Sequence, residues 1–537
     1  MYYFLSLIIF FIISGCTSYN DVDKTPSVVG AINDEDSWYK DESSEVIEMS
    51  VTIPVPNDFL CEPYDDITAP MRPCTFDDIN NDLNPIDDYA PKLHIHMQTP
   101  TFANNIDLEN ATFKIKGGFT RFSDQKSYSL KLDSKLNLYL AQRKFMLTKS
   151  ASDRSRLRNR VAFSLFRDVP NITGLQVNFI HLMIDGEDYG LFNQPEAIRV
   201  EYLVDRGWNP NDHLYNANNF LFEDIPALAL DEDGEPIDPV AFGEVLEIKN
   251  GDHHQKLHEM LVAIQNTTDI DEVVDKYFDR DNYLTWLAVN LILSDKDAIQ
   301  HNFYLYNPLY SDKFYFLPWD YDGAWATKKY LNRGEYGISV WWRSALHKKF
   351  LSVKKNRDDL YALADKIRAD YITDDAIQTI IDKYKDLVEP YQSVLPDSDH
   401  NSDSSWTNFT EELITRIPDN IAMYKEVIGS PMPFESYASY NKDTSTLDIS
   451  WGESVDLEGD AIVYDVNVSQ GSVDNVIIEE KDIQGLTFSK QINLDSGTYY
   501  LRVISREVDN SQHFQTSYSK IKVDGVHYFG LLEFIVE

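Results

Sequence analysis

Residues 291–325 read LILSDKDAIQHNFYLYNPLYSDKFYFLPWDYDGAW, and the fold and chemistry of the chain turn on this stretch. Tyr283, Trp286, Leu287, Asn290 and Leu291 recur at i, i+3, i+4, i+7 and i+8, which predicts a hydrophobic helix running into Ser294-Asp295-Lys296-Asp297. Two short strands follow, at 303–306 and 313–317, around a polar turn containing Asn307, Pro308, Ser311 and Asp312. An antiparallel hairpin sets its open ends side by side, so Asp320 on the return is expected near Asn302 and Asp297. These are hard oxygen donors without a His or Cys cluster, the set Mg²⁺ or Mn²⁺ needs when it also binds substrate phosphates, and they suit phosphoryl transfer. Asp322 shares a face with Asp320 in extended chain and is a candidate for a second metal, with a turn-forming Asp before Gly323 as the equal alternative. Asp295 competes with Asp297 for the reactive position.

Upstream, alternating stretches at 46–55, 93–97 and 112–116, the last before Gly117-Gly118, and Tyr128, Leu130 and Leu132 on one face predict strands. The pattern turns helical at 153–167, and 180–184, Asp185-Gly186 and 189–192 read as a hairpin. Further helices are expected at 358–394 and 410–427, making an α+β body. Arg154, Arg156, Arg158 and Arg160 form a basic island near a helix start, where cations oppose the dipole. An anionic partner, nucleotide phosphate or acidic side chains, explains them better than propensity, and a solvated face is the alternative. The chain's 537 residues carry 48 Lys+Arg against 88 Asp+Glu, a net charge of −40. That excess excludes a nucleic-acid partner, and any polyanionic ligand must arrive with a cation.

The ends differ in texture. Residues 2–13 are an apolar run of about twelve, too short to cross a bilayer and suited to a signal-peptide core. Its ending, Ile13-Ser14-Gly15-Cys16, resembles the bacterial lipobox, which implies that Cys16 is lipidated and the chain anchored in the cell envelope, at the outer membrane because Thr17 rather than Asp follows. The division is then 1–16 signal peptide, 17–45 acidic disordered tether, 46–429 body and 430–537 C-terminal unit. Cys61 and Cys74 are the remaining thiols, and an even pair in an exported protein suggests a disulfide, two free thiols being the alternative. After Gly429 a Ser-Pro-Met-Pro linker leads to short alternating strands suited to a β-sandwich, with Trp451 as core tryptophan. Leu494, Gly497, Thr498 and Tyr500 resemble the corner before a late strand in fibronectin type III domains.

Asp297 and Asn302 have the spacing of the catalytic Asp and metal-binding Asn of protein kinases, and Asp320-Tyr321 resembles the later metal-binding motif. The ordered series is more specific. Lys126-Ser127-Tyr128, Asp153 with Leu157-Arg158-Asn159, Asp185-Gly186 with Tyr189-Gly190-Leu191-Phe192, Glu196, Asn302-Phe303-Tyr304-Leu305-Tyr306 and Pro318-Trp319-Asp320-Tyr321-Asp322 together resemble the CotH kinase family, exported atypical kinases. The resemblance covers roughly 46–429 and implies a two-lobed atypical protein-kinase-like domain followed by the all-β sandwich. By the family's pattern Asp297 would be the catalytic acid, Asn302 and Asp320 the metal ligands, and Lys126 a contact to ATP phosphates, with Glu196 its ion-pair partner. Arg158 would be a further contact, and Lys131 is close enough to replace Lys126. The resemblance thus implies a kinase using ATP and Mg²⁺ on an exported or cell-envelope protein. The competing readings are nucleotidyl transfer by the same site and a catalytically silent surface adhesin or assembly lipoprotein.

Overall fold

The computed structural model describes residues 30–64, 68–83, 90–102, 109–150, 153–326, 331, 333–400, 405–523 and 526–537. The apolar run and Cys16 lie outside the described residues. Among those residues no helix is long and apolar enough to cross a membrane.

Seven strands form one sheet in the order Lys144–Leu147, Ser127–Leu132, Ala111–Lys116, Leu93–Gln98, Ile47–Thr52, Val177–Ile184 and Glu187–Pro195. Every neighbour is antiparallel except Ile47–Thr52 with Val177–Ile184, whose register starts at Ile47 opposite Ile180. The last two strands form the expected hairpin, with Asp185 (φ 50°) and Gly186 (φ 86°) both left-handed at its turn, as a tight two-residue connection requires. Alternation sends Phe113, Ile115, Tyr128, Leu130, Phe145 and Leu147 into one core, while Lys114, Lys116, Lys131 and Lys144 share the opposite face. Strand Val177–Ile184 couples two cores: Ile180, Leu182 and Ile184 join this one, and Val177 and Phe179 join a larger one.

The larger core is built on helix Arg280–Leu293 and a four-stranded antiparallel sheet in the order Leu246–Asn250, His213–Ala217, Phe303–Asn307 and Tyr315–Pro318. The helix is buried on all sides from Asn282 to Leu293, so it reads as an interior element rather than an amphipathic one. Its Asp279 N-cap accepts from the Asn282 N–H, and its chain reverses at Ser294 (φ 48°). Helices Lys354–Asp370, Asp374–Gln392 and Trp406–Ile428 fill the stretches expected to be helical, with a break between the first two.

From residue 30 onward the tether expectation is overturned. Trp38 is buried edge-on against Trp208 (5.8 Å), and its carbonyl accepts from Gln176 Nε2 (2.7 Å). Glu42 meets Arg160 and, at 2.7 Å, Arg167. The Ser-Pro-Met-Pro linker is likewise no free spacer, because Met432 is fully buried in the larger core and its N–H donates to the Val455 carbonyl (2.9 Å). Beyond it an all-β region forms from a three-stranded sheet (Ser436–Asn441, Thr446–Trp451, Thr487–Gln491) and a five-stranded one centred on Ile462–Gln470 and Gly497–Glu507, sharing one core that includes Trp451. The corner hydroxyl belongs to Tyr499, which donates to the Asp495 carbonyl (2.8 Å), rather than to Tyr500 as the sequence suggested. Cys61 and Cys74 form a disulfide, buried in the smaller core.

Candidate active site

The hairpin register pairs Phe303 with Pro318, so Asn302 and the Trp319-Asp320 step leave the sheet together, as expected. Both acquire left-handed backbones, Asn302 at φ 62° and Asp320 at φ 59°, a conformation with a cost for residues other than glycine and one concentrated at functional sites. The turn Tyr321–Gly323 is then fixed from several directions. The Tyr321 N–H donates to Asn159 Oδ1 (2.7 Å), its hydroxyl donates to Asn290 Oδ1 (3.0 Å), and its ring lies edge-on to Phe166 (4.9 Å). Arg158 Nη1 donates to the Asp322 carbonyl (2.9 Å), and Asp153 Oδ2 accepts from the Arg158 N–H (2.8 Å). Farther on, the Trp325 N–H donates to the Leu293 carbonyl (2.6 Å), tying the turn to the end of the central helix.

Asp297 is set by the same knot. Asp295 Oδ1 accepts its N–H (3.0 Å), and Gly323 lies against its carboxylate so closely that a Cβ there would sit 2.5 Å from Oδ2. Asp295 itself is buried with Oδ2 unpartnered. Burial, then the charge of Asp297, then those of Asp320 and Asp322, hold its carboxyl well above the usual range, against the bond from the Asp297 N–H. It therefore positions Asp297 from beneath. Asp322 is also raised, first by burial and next by Asp320, with Lys116 opposing and Asp153 and Asp297 adding. Asp297, Asp320 and Asp322 thus share one field. They do not form a close triad: among the described residues the groups of three with ligand atoms within 4.8 Å are Asp58/His94/Glu109 and Asp456/Asp460/Glu507. Mg²⁺ is satisfied by one or two carboxylates with water and substrate phosphates, and the all-oxygen set of Asp320, Asp322 and Asn302 fits that demand.

Cations face these acids. Lys116, at the end of strand Ala111–Lys116, offsets the field at Asp322, and Lys114 stands two residues before it on the same face. Lys144, on that face two strands away, is pushed down to about 8 by burial and then by Arg199, Lys249 and Lys114, with Glu247 opposing. Lys249 is lowered first by burial and then, against its ion pair with Glu247, by Arg199 and Lys114. Arg199, Glu247 and Asp320 all act on the buried Tyr304 hydroxyl, which joins this cation group to the acid turn. Lys114, Lys116 and Lys144 on one face of the larger sheet, Lys249 on the edge strand of the smaller one and Arg199 at the start of helix Val200–Asp205 therefore form one basic group, which Lys116 joins to Asp322 and Arg199 joins to Asp320 through Tyr304.

The expected pair of Lys126 with Glu196 is not made. Lys126 Nζ donates to the Arg121 carbonyl, bracing the turn after Gly117-Gly118, and burial lowers its pKa with Asp124 opposing. Glu196 is buried in a two-pronged pair with Arg206 (2.7 and 2.9 Å) rather than with Lys126. Arg158 reaches the site, where its guanidinium holds the Asp322 carbonyl and lies 3.9 Å from Asp153 Oδ1. Of the other three island arginines, Arg156 is buried against backbone carbonyls, Gln125 and Asp397; Arg160 against Glu42, Tyr384 and the Val177 carbonyl; Arg154 lies over Phe409. Acidic side chains and carbonyls thus account for most of that island. Lys131, the alternative to Lys126, shares the cationic face but is exposed. The signal that could have found the cations was present: Lys114 and Lys116 alternate with Phe113 and Ile115 in one strand of an acidic chain.

Known proteins add to this geometry. Residues 113–424 match the family described as CotH kinase protein. Over 214 residues the chain is 24% identical to inner spore coat protein H of Bacillus subtilis (strain 168), covering 39% of this chain and 57% of that relative. The chain therefore spans somewhat more than half of the relative's length. The matched stretch takes in well over half of the chain, the acid turn and all five facing cations among it. The chain accordingly belongs to the CotH kinase protein family.

Proposed function

We propose that the chain is a kinase that transfers the γ-phosphoryl group of ATP to a hydroxyl on an exported or cell-envelope protein, with Mg²⁺ screening the phosphate charge. The observation that carries this reading is the opposition of charge at the acid turn. In a chain of net charge −40, Lys114, Lys116, Lys144, Lys249 and Arg199 form one basic group that adjoins the acid turn, through Lys116 at Asp322 and through Arg199 and Asp320 at Tyr304. A ligand that satisfies both sides is a polyphosphate carrying a divalent cation.

Asn302, Asp320 and Asp322 would hold the metal against the phosphates. Asp297, braced by Asp295 and Gly323, would orient the acceptor hydroxyl and take its proton as the oxygen attacks. The five cations would neutralise the phosphate oxygens, a role expected from sequence for Lys126. The two sheets with their helices would serve as the two lobes. An envelope setting draws support from the lipobox-like Cys16 and from the relative's place in the spore coat; lipid anchoring through Cys16 is part of the proposal.

The test is incubation of the purified protein with Mg-ATP labelled at the γ position or, separately, at the α position. γ-Label should enter protein, and Asp297→Asn and Asp320→Asn should each lower the rate by about 10³-fold, in line with loss of a group acting on transition-state charge. Transfer of α-label would instead establish nucleotidyl transfer. Full activity in both variants would remove the site, and absence of any magnesium-dependent nucleotide binding would favour the non-catalytic reading.

A further inference from the structure

The all-β region carries a second group of acids remote from the cleft in sequence and built differently. Asp456 Oδ1 accepts three backbone N–H groups, from Glu458 (2.8 Å), Gly459 (2.9 Å) and Asp460 (3.2 Å). Its other oxygen, Oδ2, is buried with no partner, in a residue only 9% exposed. A carboxylate oxygen left in that state is costly and calls for an occupant. Glu507, also buried, meets His513 Nδ1 through Oε1 (2.9 Å). One oxygen from each of Asp456, Asp460 and Glu507 lies within 4.8 Å of the others. Oxygens about 2.4 Å from a shared ion stand about 3.4 Å apart when adjacent and about 4.8 Å apart when opposite, so this span is that of one coordination sphere. Arg506, the nearest cation in sequence, is committed to Asp465 and Asp482. Asp460 is exposed, and a cavity of about 380 Å³ lined by Asp456, Asp460, Ser454 and Tyr464 gives an ion its entry.

We propose that Asp456, Asp460 and Glu507 bind one calcium ion. Three carboxylates on a loop and a strand, completed by water, suit the flexible six- to eight-fold oxygen shell of Ca²⁺ better than the rigid octahedron of Mg²⁺, and the affinity expected of such a module is ~10⁻⁴–10⁻³ M. The ion would stiffen a junction. The loop that carries Asp456 accepts from Arg357 Nη2 at the Leu457 carbonyl (3.0 Å) and from the Met432 N–H at the Val455 carbonyl (2.9 Å), so it fastens the all-β region to helix Lys354–Asp370 of the body.

The experiment uses the full chain carrying Asp320→Asn and Asp322→Asn, so that the cleft does not contribute a metal. Ca²⁺ binding is read by calorimetry, and Tb³⁺ luminescence reports the same site through Tyr464, whose hydroxyl accepts from the Ser454 N–H (2.9 Å). One Ca²⁺ should bind, displace Tb³⁺, and raise the melting temperature of the all-β region by roughly 6 °C at ten times Kd. Adding Asp460→Asn, an exposed change that spares the fold, should weaken binding at least tenfold and remove the thermal shift. Asp456→Asn should do the same, and if it fails to fold the Asp460 variant decides. No Ca²⁺ binding, equal binding with and without Asp460→Asn, or binding that Mg²⁺ matches at the same concentration overturns the proposal. None of these outcomes bears on the kinase reading, which the labelled-ATP assay tests separately.

Discussion

The acid wall of the candidate site, the turn at Asp320, and its basic wall, the group of five cations, hold their charges by different means. The acid wall is fixed through the backbone: left-handed residues at Asn302 and Asp320, a turn pinned by Arg158 and Asn159, and Gly323 pressed against the Asp297 carboxylate. The basic wall is a display of long side chains, with Lys114, Lys116 and Lys144 projecting from one sheet face and Lys249 and Arg199 meeting them. A metal requires oxygens at set distances, whereas phosphates tolerate ammonium groups that swing on flexible stems. Precision is therefore concentrated on the acid side, and the basic side can be assembled from segments far apart in the chain.

The largest effect should come from a charge that belongs to neither wall. Arg206→Met leaves Glu196 buried without its partner and should cost about 3–5 kcal/mol in urea unfolding, while the protein that remains folded keeps its kcat. A matching loss of kcat would mean that the pair reaches the cleft after all. Gly323→Ala tests the acid wall more finely. The new methyl must displace the Asp297 carboxylate, so kcat should fall roughly 10–100-fold with the unfolding midpoint little changed. On the basic wall, Lys116→Ala should raise the KM for ATP about tenfold and leave kcat closer to its starting value, whereas Lys126→Ala should change it less than twofold. Equal effects of the two lysines would dissolve the distinction between them.

The smallest effect is a pH dependence. Lys144 titrates at about 8 in the folded protein against an ordinary 10.5. Between those values the folded chain binds fewer protons than the unfolded one, so this group's contribution to stability rises with pH through that window. On the proposed function, nucleotide phosphate beside Lys144 would draw the proton back. ATP binding should therefore take up protons near pH 8.5 and weaken about threefold as pH climbs through 8 to 9. Calorimetry in two buffers of different ionisation enthalpy measures that uptake, and Lys144→Met should abolish it.

The acid wall was legible because its parts sit on the two ends of one hairpin, where chain connectivity sets the geometry. The basic wall comes from separate strands and the start of a helix, and its members meet only through tertiary packing that spacing does not encode. Lys126 stands before strand Ser127–Leu132 as the family pattern has it, and the preceding turn offers its ammonium the Arg121 carbonyl, whereas the Glu196 partner expected for it is taken elsewhere. Glu196 found Arg206 across one short helix, a partner at an unremarkable spacing. The acidic stretch beginning at residue 30 looked solvated because the residues that anchor it, Arg160, Arg167 and Trp208, lie more than a hundred positions away.

On the proposed lipidation of Cys16, that docked stretch also sets a leash. The Gly30 carbonyl already accepts from the Tyr315 hydroxyl (2.8 Å), on the strand that leads into Asp320. With lipid on Cys16, the fourteen residues from there to Gly30 reach about 50 Å at full stretch. On the proposed kinase reading, acceptors would have to come to the bilayer's own surface layer, and lengthening this short lead would widen the territory within the protein's reach.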